Sequence, residues 1–223
     1  MVASWELKEA KKVACFVLHV ETTSVAWALG LRNLLPNSMP VIPLTGMPFD
    51  MGRNAACEAV LRDGFEWLAF LDSDVIPSRD AFPRLLSHGQ PIVSGVYHRR
   101  SPPHGIPVML RGEPPQWLTS YPANALIEVD YVGAGLIVIH RSVLERMQPS
   151  RPGYHWFDWR VNLKNCGVFP EETCMSEDFV FCQNARQKYG YKIYVDTAVQ
   201  SRHVGFAQAT YGKMEPCETT HLT

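Results

Sequence analysis

The stretch that decides the fold is "RNAACEAVLRDGFEWLAFLDSDVIP", residues 53–77. Its first part places small apolar residues on one face of a helix, and Gly64 stands where such a helix ends. Its second part is an apolar run of strand length that finishes in Asp72, Ser73 and Asp74. A helix followed directly by a buried strand predicts one step of a parallel α/β sheet. Two acids separated by one residue need either a positive charge between them or exposure to solvent, because like charges repel strongly in a buried environment.

The preceding segments repeat this pattern. "KKVACFVLHVETTS" (11–24) is typical of a buried strand followed by a polar loop, in which Ser24 can cap a helix that runs to about Leu35. "MPVIPL" (39–44) is a short strand candidate, although its prolines weaken it. Asp50 or an adjacent residue can cap the next helix. The order β-α-β-α-β predicts a mainly parallel central sheet flanked by helices, with right-handed crossovers.

The second half is richer in predicted strands. A helix is predicted over 176–190, with Ser176 as the N-cap and Gly190 just past the end. Strands are predicted within 91–100, 106–110, 125–140, 154–161 and 191–199.

Composition excludes some functions and leaves others open. The 223 residues carry 21 basic and 22 acidic side chains, a balance that indicates neither a nucleic-acid surface nor an acidic tail. The six cysteines form no C-x-x-C pair, so buried thiols are favoured over disulfides or a zinc knuckle. The apolar run at 13–20 is too short for a membrane span, which predicts a soluble, cytoplasmic protein.

The acid pair has two interpretations. Strand alternation predicts that Asp72 and Asp74 project together while Ser73 faces away. In an open α/β sheet, ligands bind beyond the carboxyl ends of the strands, and Mg²⁺ or Mn²⁺ would balance two carboxylates there. The alternative is a solvated turn held by Asp and Ser bonds to the backbone.

Two later motifs bear on this choice. Glu177 and Asp178 open the predicted helix, where acids gain from the helix dipole, and either could serve as a general base. His203 follows a predicted strand in an H-x-G sequence, as a structural side chain or as a metal ligand.

The order D-x-D, S-E-D and H-x-G resembles the GT-A glycosyltransferases, small and mostly inverting enzymes that use nucleotide sugars. The resemblance covers about residues 13–206. Besides 53–77, it is carried by "VDYVGAGLIVIHRSVLERM" (129–147) and "SEDFVFCQNARQKYGYKIYVDTAVQSRHVG" (176–205). It implies a GT-A, Rossmann-like fold in a single domain over 1–223. That domain would have a nucleotide-sugar half (about 1–98), an acceptor and catalytic half (about 99–206), and a tail (207–223) in which Tyr211 and Lys213 could close as a lid.

The resemblance also implies roles for individual residues. Asp178 would be the catalytic base, with Glu177 beside it. The Mn²⁺ or Mg²⁺ ligands would be Asp72, Asp74 and His203. The nucleotide-sugar donor would meet Glu21, Thr22, Thr23, Arg53, Asn54, Asp72, Ser73 and Asp74. The acceptor is expected near Gly133, Gly135, His98, Arg99, Arg100, Trp156, Phe157 and Trp159, although a strand bulge, a solvated strand end and an aromatic core explain these residues equally well.

The resulting hypothesis is metal-dependent transfer of a sugar from a donor of the UDP-sugar class to an acceptor hydroxyl, with inversion. The alternative is a retaining enzyme, which needs no such base and in which Asp178 would position the acceptor. A sugar nucleotidyltransferase is a second candidate, but "HVETTS" (19–24) lacks the Gly-rich loop of that class. A non-catalytic nucleotide-sugar or carbohydrate binder is the third. The acceptor stays open among a glycan, a lipid-linked glycan, a protein and a hydroxymethylated DNA base.

Overall fold

The structure is a computed structural model that describes residues 13–19, 23–34, 39–100, 105–149, 155–161, 174–204, 207–210 and 213–216. Its helices are α1 (Val25–Leu34), α2 (Phe49–Asp63), α3 (Ala81–Ser87), α4 (Arg141–Arg146) and α5 (Glu177–Tyr189). Its strands are β1 (Val13–His19), β2 (Val41–Thr45), β3 (Trp67–Asp72), β4 (Val75–Pro77), β5 (Ile92–Val96), β6 (Met109–Arg111), β7 (Gln116–Trp117), β8 (Leu126–Val129), β9 (Tyr131–Val132), β10 (Leu136–His140), β11 (Arg160–Val161), β12 (Cys174–Met175), β13 (Ile193–His203), β14 (Ala207–Thr210) and β15 (Lys213–Pro216).

One large sheet organises the molecule. Its order is β15-β14-β13-β5-β10-β3-β1-β2, and β4 and β8 also pair with β13. β1 runs parallel to β2 and β3, and β13 runs parallel to β5. Between β3 and β5 lies β10, which is antiparallel to both. The predicted α/β class with a mainly parallel central sheet is therefore confirmed. β10 is reversed at its centre, and β4, β8 and β14 add antiparallel pairs with β13.

The strands β1 and β3 are buried on both faces. Their side chains alternate between two apolar clusters, with Phe16 and Phe70 in one and Val17 and Leu71 in the other. Helix α2 covers the first face, for example through Cys57, while α1 and α3 pack on the second. This two-sided burial is what the continuous apolar runs predicted.

The helix ends follow the sequence closely. Gly64 and Gly190 end α2 and α5 in the left-handed conformation, at φ 78° and 73°. Ser24 Oγ accepts a hydrogen bond from Trp27 N at 3.1 Å at the start of α1. The expected Asp50 cap is displaced: Pro48 occupies the N-cap position of α2, and Asp50 lies in the first turn.

The segment 154–161 departs from its prediction. Of its described residues, 155–161, only Arg160 and Val161 form a strand, β11, which pairs with β12. Trp156 and Phe157 instead enter the core, and Trp156 Nε1 donates to the Leu144 carbonyl at 3.0 Å. Aromatic burial at this position needs no strand, because the indole N–H finds its acceptor in a neighbouring helix.

The cysteine prediction is confirmed where it can be followed. Cys15, Cys57 and Cys182 are free and buried. Cys166 and Cys217 lie outside the described residues. Across the described ranges, no helix combines the length and apolar character needed to cross a membrane.

Candidate functional site

The two aspartates lie at a turn, not along a continuous strand. β3 ends at Asp72, and β4 begins again at Val75. Two side chains hydrogen-bond to the backbone of this turn. Trp27 Nε1 donates to the Asp72 carbonyl at 3.0 Å, and the Thr23 hydroxyl donates to the Ser73 carbonyl at 2.8 Å. Strand alternation therefore does not explain the direction of both carboxylates. The fixed turn does, and it leaves each side chain partly exposed, at 22% for Asp72 and 28% for Asp74.

A buried arginine lies behind the turn. Arg53, on α2, donates from Nη2 to Asp72 Oδ1 and from Nε to Glu177 Oε1, each at 3.2 Å. Its Nη1 donates to the Ala134 carbonyl at 3.2 Å, and its guanidinium carbon lies 5.0 Å from the centre of the Phe70 ring. The side chain is only 3% exposed. Arg53 thus joins the end of β3 to the start of α5 through bonds within the protein.

The 133–135 turn, which leads into β10, ties α5 to the same arginine. Ala134 N donates to Asp178 Oδ2 at 3.3 Å, while the Ala134 carbonyl accepts from Arg53. Asp178 Oδ1 also accepts from the Ser176 hydroxyl and from Phe179 N. The Ser176 side chain therefore holds Asp178 instead of capping the helix backbone. These three donors fix the carboxylate but leave it capacity to accept one more proton donor.

The two glycines of this turn face a tyrosine. Gly135 N donates to the Tyr97 hydroxyl at 3.1 Å, and the Gly135 carbonyl accepts from Asp72 N at 2.9 Å. A Cβ on Gly133 would stand 1.9 Å from the Tyr97 hydroxyl, and one on Gly135 would stand 3.2 Å from it. Glycine is therefore required at 133 to admit Tyr97. The sequence analysis did not single out Tyr97; its only signal was the pair of glycines, which indicates a close approach without saying by which side chain.

His203 comes to the outer side of the acid pair. Its Nε2 lies 3.2 Å from Asp74 Oδ2, and its Nδ1 lies 2.7 Å from the His98 carbonyl. Arg100 Nη1 also contacts Asp74 Oδ2. Two residues that are far apart in the sequence, Asp74 and His203, thus meet because β4 pairs antiparallel with the end of β13.

The two sides of the site differ in their electrostatics. Burial, together with the charges of Asp74 and Asp178, raises the pKa of Asp72 more than Arg53 lowers it. Burial and Asp178 likewise raise the pKa of Glu177 against the effect of Arg53. For Asp74, burial is outweighed by the hydrogen bond and charge of His203 and by Arg100, so its pKa falls below its usual value.

The fit of a cation can be judged from the chemistry of these atoms. No group of three His, Cys, Asp or Glu side chains in the described part of the chain is spaced to hold a metal ion. The His98 carbonyl only accepts, so Nδ1 of His203 must carry a hydrogen. In a neutral imidazole, Nε2 then points a lone pair at the Asp74 carboxylate, and two acceptors in contact require a proton or a cation between them. Their 3.2 Å separation also suits adjacent ligands of an octahedral ion, which lie about 3 Å apart.

The predicted donor residues fall in different places. Glu21 and Thr22 lie outside the described residues. Thr23 is exposed and holds the aspartate turn. Asn54 is buried, and its amide bonds both the N–H and the carbonyl of Phe157, at 3.1 and 2.7 Å. Asn54 and Arg53 are thus bonded to the protein itself in this structure, while Thr23, Ser73 and both aspartates line the turn.

The predicted acceptor residues also separate. His98 is 1% exposed, its Nδ1 has no hydrogen-bond partner among the described residues, and it contacts His203 through its carbonyl. Trp156 is a core residue, whereas Trp159 is 47% exposed. The Arg99 guanidinium lies 4.9 Å from the centre of the Trp117 ring. Of the tail, β14 and β15 extend the large sheet beyond β13, and Tyr211 lies outside the described residues.

Comparison with solved structures supports the fold. A197 from STIV aligns with a TM-score of 0.64 and 17% identity, over 95% of this chain and 100% of that one. The two chains therefore share a fold over almost their whole length. A second alignment is with a glycosyltransferase involved in the glycosylation of the major capsid of PBCV-1. It has a TM-score of 0.33 and 14% identity, over 80% of this chain and 75% of that one. This TM-score is too low to carry an argument. No protein-family model and no curated protein matches the chain.

Proposed function

We propose that this protein is a metal-dependent glycosyltransferase that moves a sugar from a nucleotide donor, of the UDP-sugar class, to an acceptor hydroxyl. The observation that carries the proposal is the contact of Asp74 Oδ2 with His203 Nε2 at 3.2 Å, beside Asp72 at the carboxyl end of β3. In the free protein a proton on His203 balances Asp74, because the carboxylate raises the pKa of this imidazole. A divalent cation can take the place of that proton, and the diphosphate of a nucleotide sugar binds together with such a cation.

Asp74 and His203 would hold the cation, with Asp72 next to it. A bound Mn²⁺ or Mg²⁺ would stabilise the negative charge of the departing nucleoside diphosphate. The His98 carbonyl supports this role, because it fixes the His203 tautomer with Nε2 directed at Asp74. Arg100 contacts the same carboxylate and is 58% exposed, so it can move aside at little cost.

Asp178 is the proposed base. The acceptor oxygen forms a bond to the anomeric carbon, the bond from that carbon to the phosphate oxygen breaks with its electron pair on the nucleotide, and the acceptor proton passes to Asp178. Ala134 N and Ser176 hold this carboxylate in place. Glu177 instead faces Arg53, so its role is to position the start of α5. Inversion of the anomeric carbon follows if Asp178 acts from the side opposite the diphosphate.

Trp159 marks the side from which an acceptor can approach. β11 pairs Arg160 with Met175, and Trp159 and Ser176, the N-cap residue of α5, are the residues that directly flank this pair. An exposed indole face at this position suits stacking against a sugar ring or a base.

The test is metal-dependent release of UDP from UDP-sugars, measured with wild-type protein, Asp74→Asn and the exposed control Asp80→Asn. We expect Mn²⁺-dependent release by wild type and Asp80→Asn, and a loss of about 100-fold or more in Asp74→Asn, because a metal contact to developing charge is worth several kcal/mol. Equal release by all three proteins in EDTA would contradict the proposal.

A further inference from the structure

Tyr97 is a buried side chain at the centre of the site that the proposed mechanism does not use. It follows β5 directly and is 7% exposed. Its ring meets the His203 ring edge-on, with 5.7 Å between the ring centres. Its hydroxyl reaches the 133–135 turn between Asp72 and Asp178, and the charges of both act on it. The ring is thus held firmly while the hydroxyl lies among the site's carboxylates.

The hydroxyl has a donor but lacks an acceptor. Its oxygen accepts from Gly135 N at 3.1 Å. A phenol keeps its hydrogen at neutral pH, so the Tyr97 hydroxyl can donate as well as accept. Among the described residues, no hydrogen bond takes that hydrogen. A buried O–H without an acceptor is costly, and a ligand oxygen would remove the cost.

A second polar group, the Asp72 carboxylate, lies near this hydroxyl. The position that a Cβ on Gly135 would occupy lies 3.2 Å from both the Tyr97 hydroxyl and Asp72 Oδ2. The two oxygens are therefore no farther apart than twice that distance, which one bridging hydroxyl can span. Arg53 Nη2 contacts both carboxylate oxygens of Asp72, and these oxygens retain further lone pairs that can accept a hydrogen bond. The Tyr97 hydroxyl can donate a hydrogen bond and the Asp72 carboxylate can accept one. A ligand hydroxyl can do both, so it is complementary to this pair.

We infer that Tyr97 is a substrate-binding residue: with Asp72 it binds one hydroxyl group of the nucleotide sugar, which donates to Asp72 Oδ2 and accepts from the Tyr97 hydroxyl. This inference rests on the proposed function. The hydroxyl belongs either to the ribose or to the transferred sugar, and the chemistry of recognition is the same for both.

Binding of UDP and UDP-glucose in the presence of Mn²⁺, measured by calorimetry, tests the inference. Tyr97→Phe keeps the ring and removes only the hydroxyl, and we expect about fivefold to tenfold weaker binding, as for one lost hydrogen bond. Weaker binding of UDP-glucose alone assigns the hydroxyl to the sugar, and weaker binding of both assigns it to the ribose. Tyr191→Phe is the matched control, because its hydroxyl bonds only the Ser142 carbonyl, away from the site, and binding should not change.

A further probe separates contact from distortion. The probe is a set of nucleotide-sugar analogues that each lack one hydroxyl. We expect one of them to bind wild-type protein weakly and to bind Tyr97→Phe with the same low affinity. Equal losses for every analogue, or wild-type affinity in Tyr97→Phe, would overturn this inference alone. Failure of wild-type protein to bind either nucleotide would overturn the proposed function, and this inference with it.

Discussion

The two carboxylates that follow β3 are balanced in different ways. Asp72 faces inward to Arg53, a guanidinium that is 3% exposed and also bonds Glu177. Asp74 faces outward to His203 and to Arg100, which is 58% exposed. The inner positive charge is part of the core, whereas the outer positive charges are a titratable ring and an exposed arginine side chain. In the proposed function the cation therefore binds at Asp74 and not between Asp72 and Arg53.

This difference also explains how the site is assembled. The inner group links three distant parts of the chain: α2, the end of β3 and the start of α5. Breaking a buried ion pair leaves an uncompensated charge, which costs far more than losing an exposed pair. The inner group therefore positions the end of β3 and the start of α5, and the outer group is the more accessible of the two to a ligand.

The largest effect is expected for Arg53→Met. It leaves Asp72 and Glu177 without their buried partner, and we expect the free energy of unfolding to fall by about 3–5 kcal/mol. Urea unfolding with a matched Arg62→Met variant measures it. Arg62 pairs with Asp63 at the surface with its side chain 71% exposed, so that variant should be unchanged. Similar stability for the two variants would mean that the inner group does not hold the site together.

An intermediate effect is expected from acid pH, with opposite signs for the two aspartates. The folded-state pKa of Asp74 is lowered, so its contribution to stability is present above its unfolded pKa and is lost as pH falls through the folded value. The folded-state pKa of Asp72 is raised, so the folded protein binds that proton more tightly and stability falls as pH rises from the unfolded to the folded value.

Urea unfolding between about pH 3 and pH 6, with EDTA present, can measure both signs. The stability of wild type relative to Asp74→Asn should increase as pH rises in this range, and that relative to Asp72→Asn should decrease. If both stability differences changed with pH in the same direction, Arg53 would offset the burial of Asp72 as fully as His203 offsets the burial of Asp74.

The smallest effect is expected for Arg100→Gln. An exposed arginine that pairs with Asp74 should contribute about 1 kcal/mol or less to stability. Because the arginine competes with a cation for the same carboxylate, Mn²⁺ should bind a few-fold more tightly to the variant, measured by calorimetry. Weaker Mn²⁺ binding would show that Arg100 supports the cation site and does not compete for it.

Local features of the site were predictable, and their partners were not. The turn after β3 and the acids at the start of α5 follow from apolar runs, a capping serine and Gly64 and Gly190, all of which act within a few residues. Arg53 meets Glu177 across 124 positions of sequence. No local pattern distinguishes a buried guanidinium with three protein acceptors from a solvated one. The hydrogen bond between Gly135 and Tyr97 is likewise not predictable from a local pattern, because the two residues are distant in the sequence.

The amino-acid sequence by itself determined the α/β class, the buried strands β1 and β3 and the residues that end the helices, because hydrophobic period and backbone conformational preference are set by near neighbours. Only the tertiary structure decided that β10 enters the sheet reversed between β3 and β5, and that its preceding turn carries Ala134 and Gly135 to the acids. Strand order and side-chain partners depend on contacts between segments that are distant along the chain, and any of several registers satisfies the same local pattern.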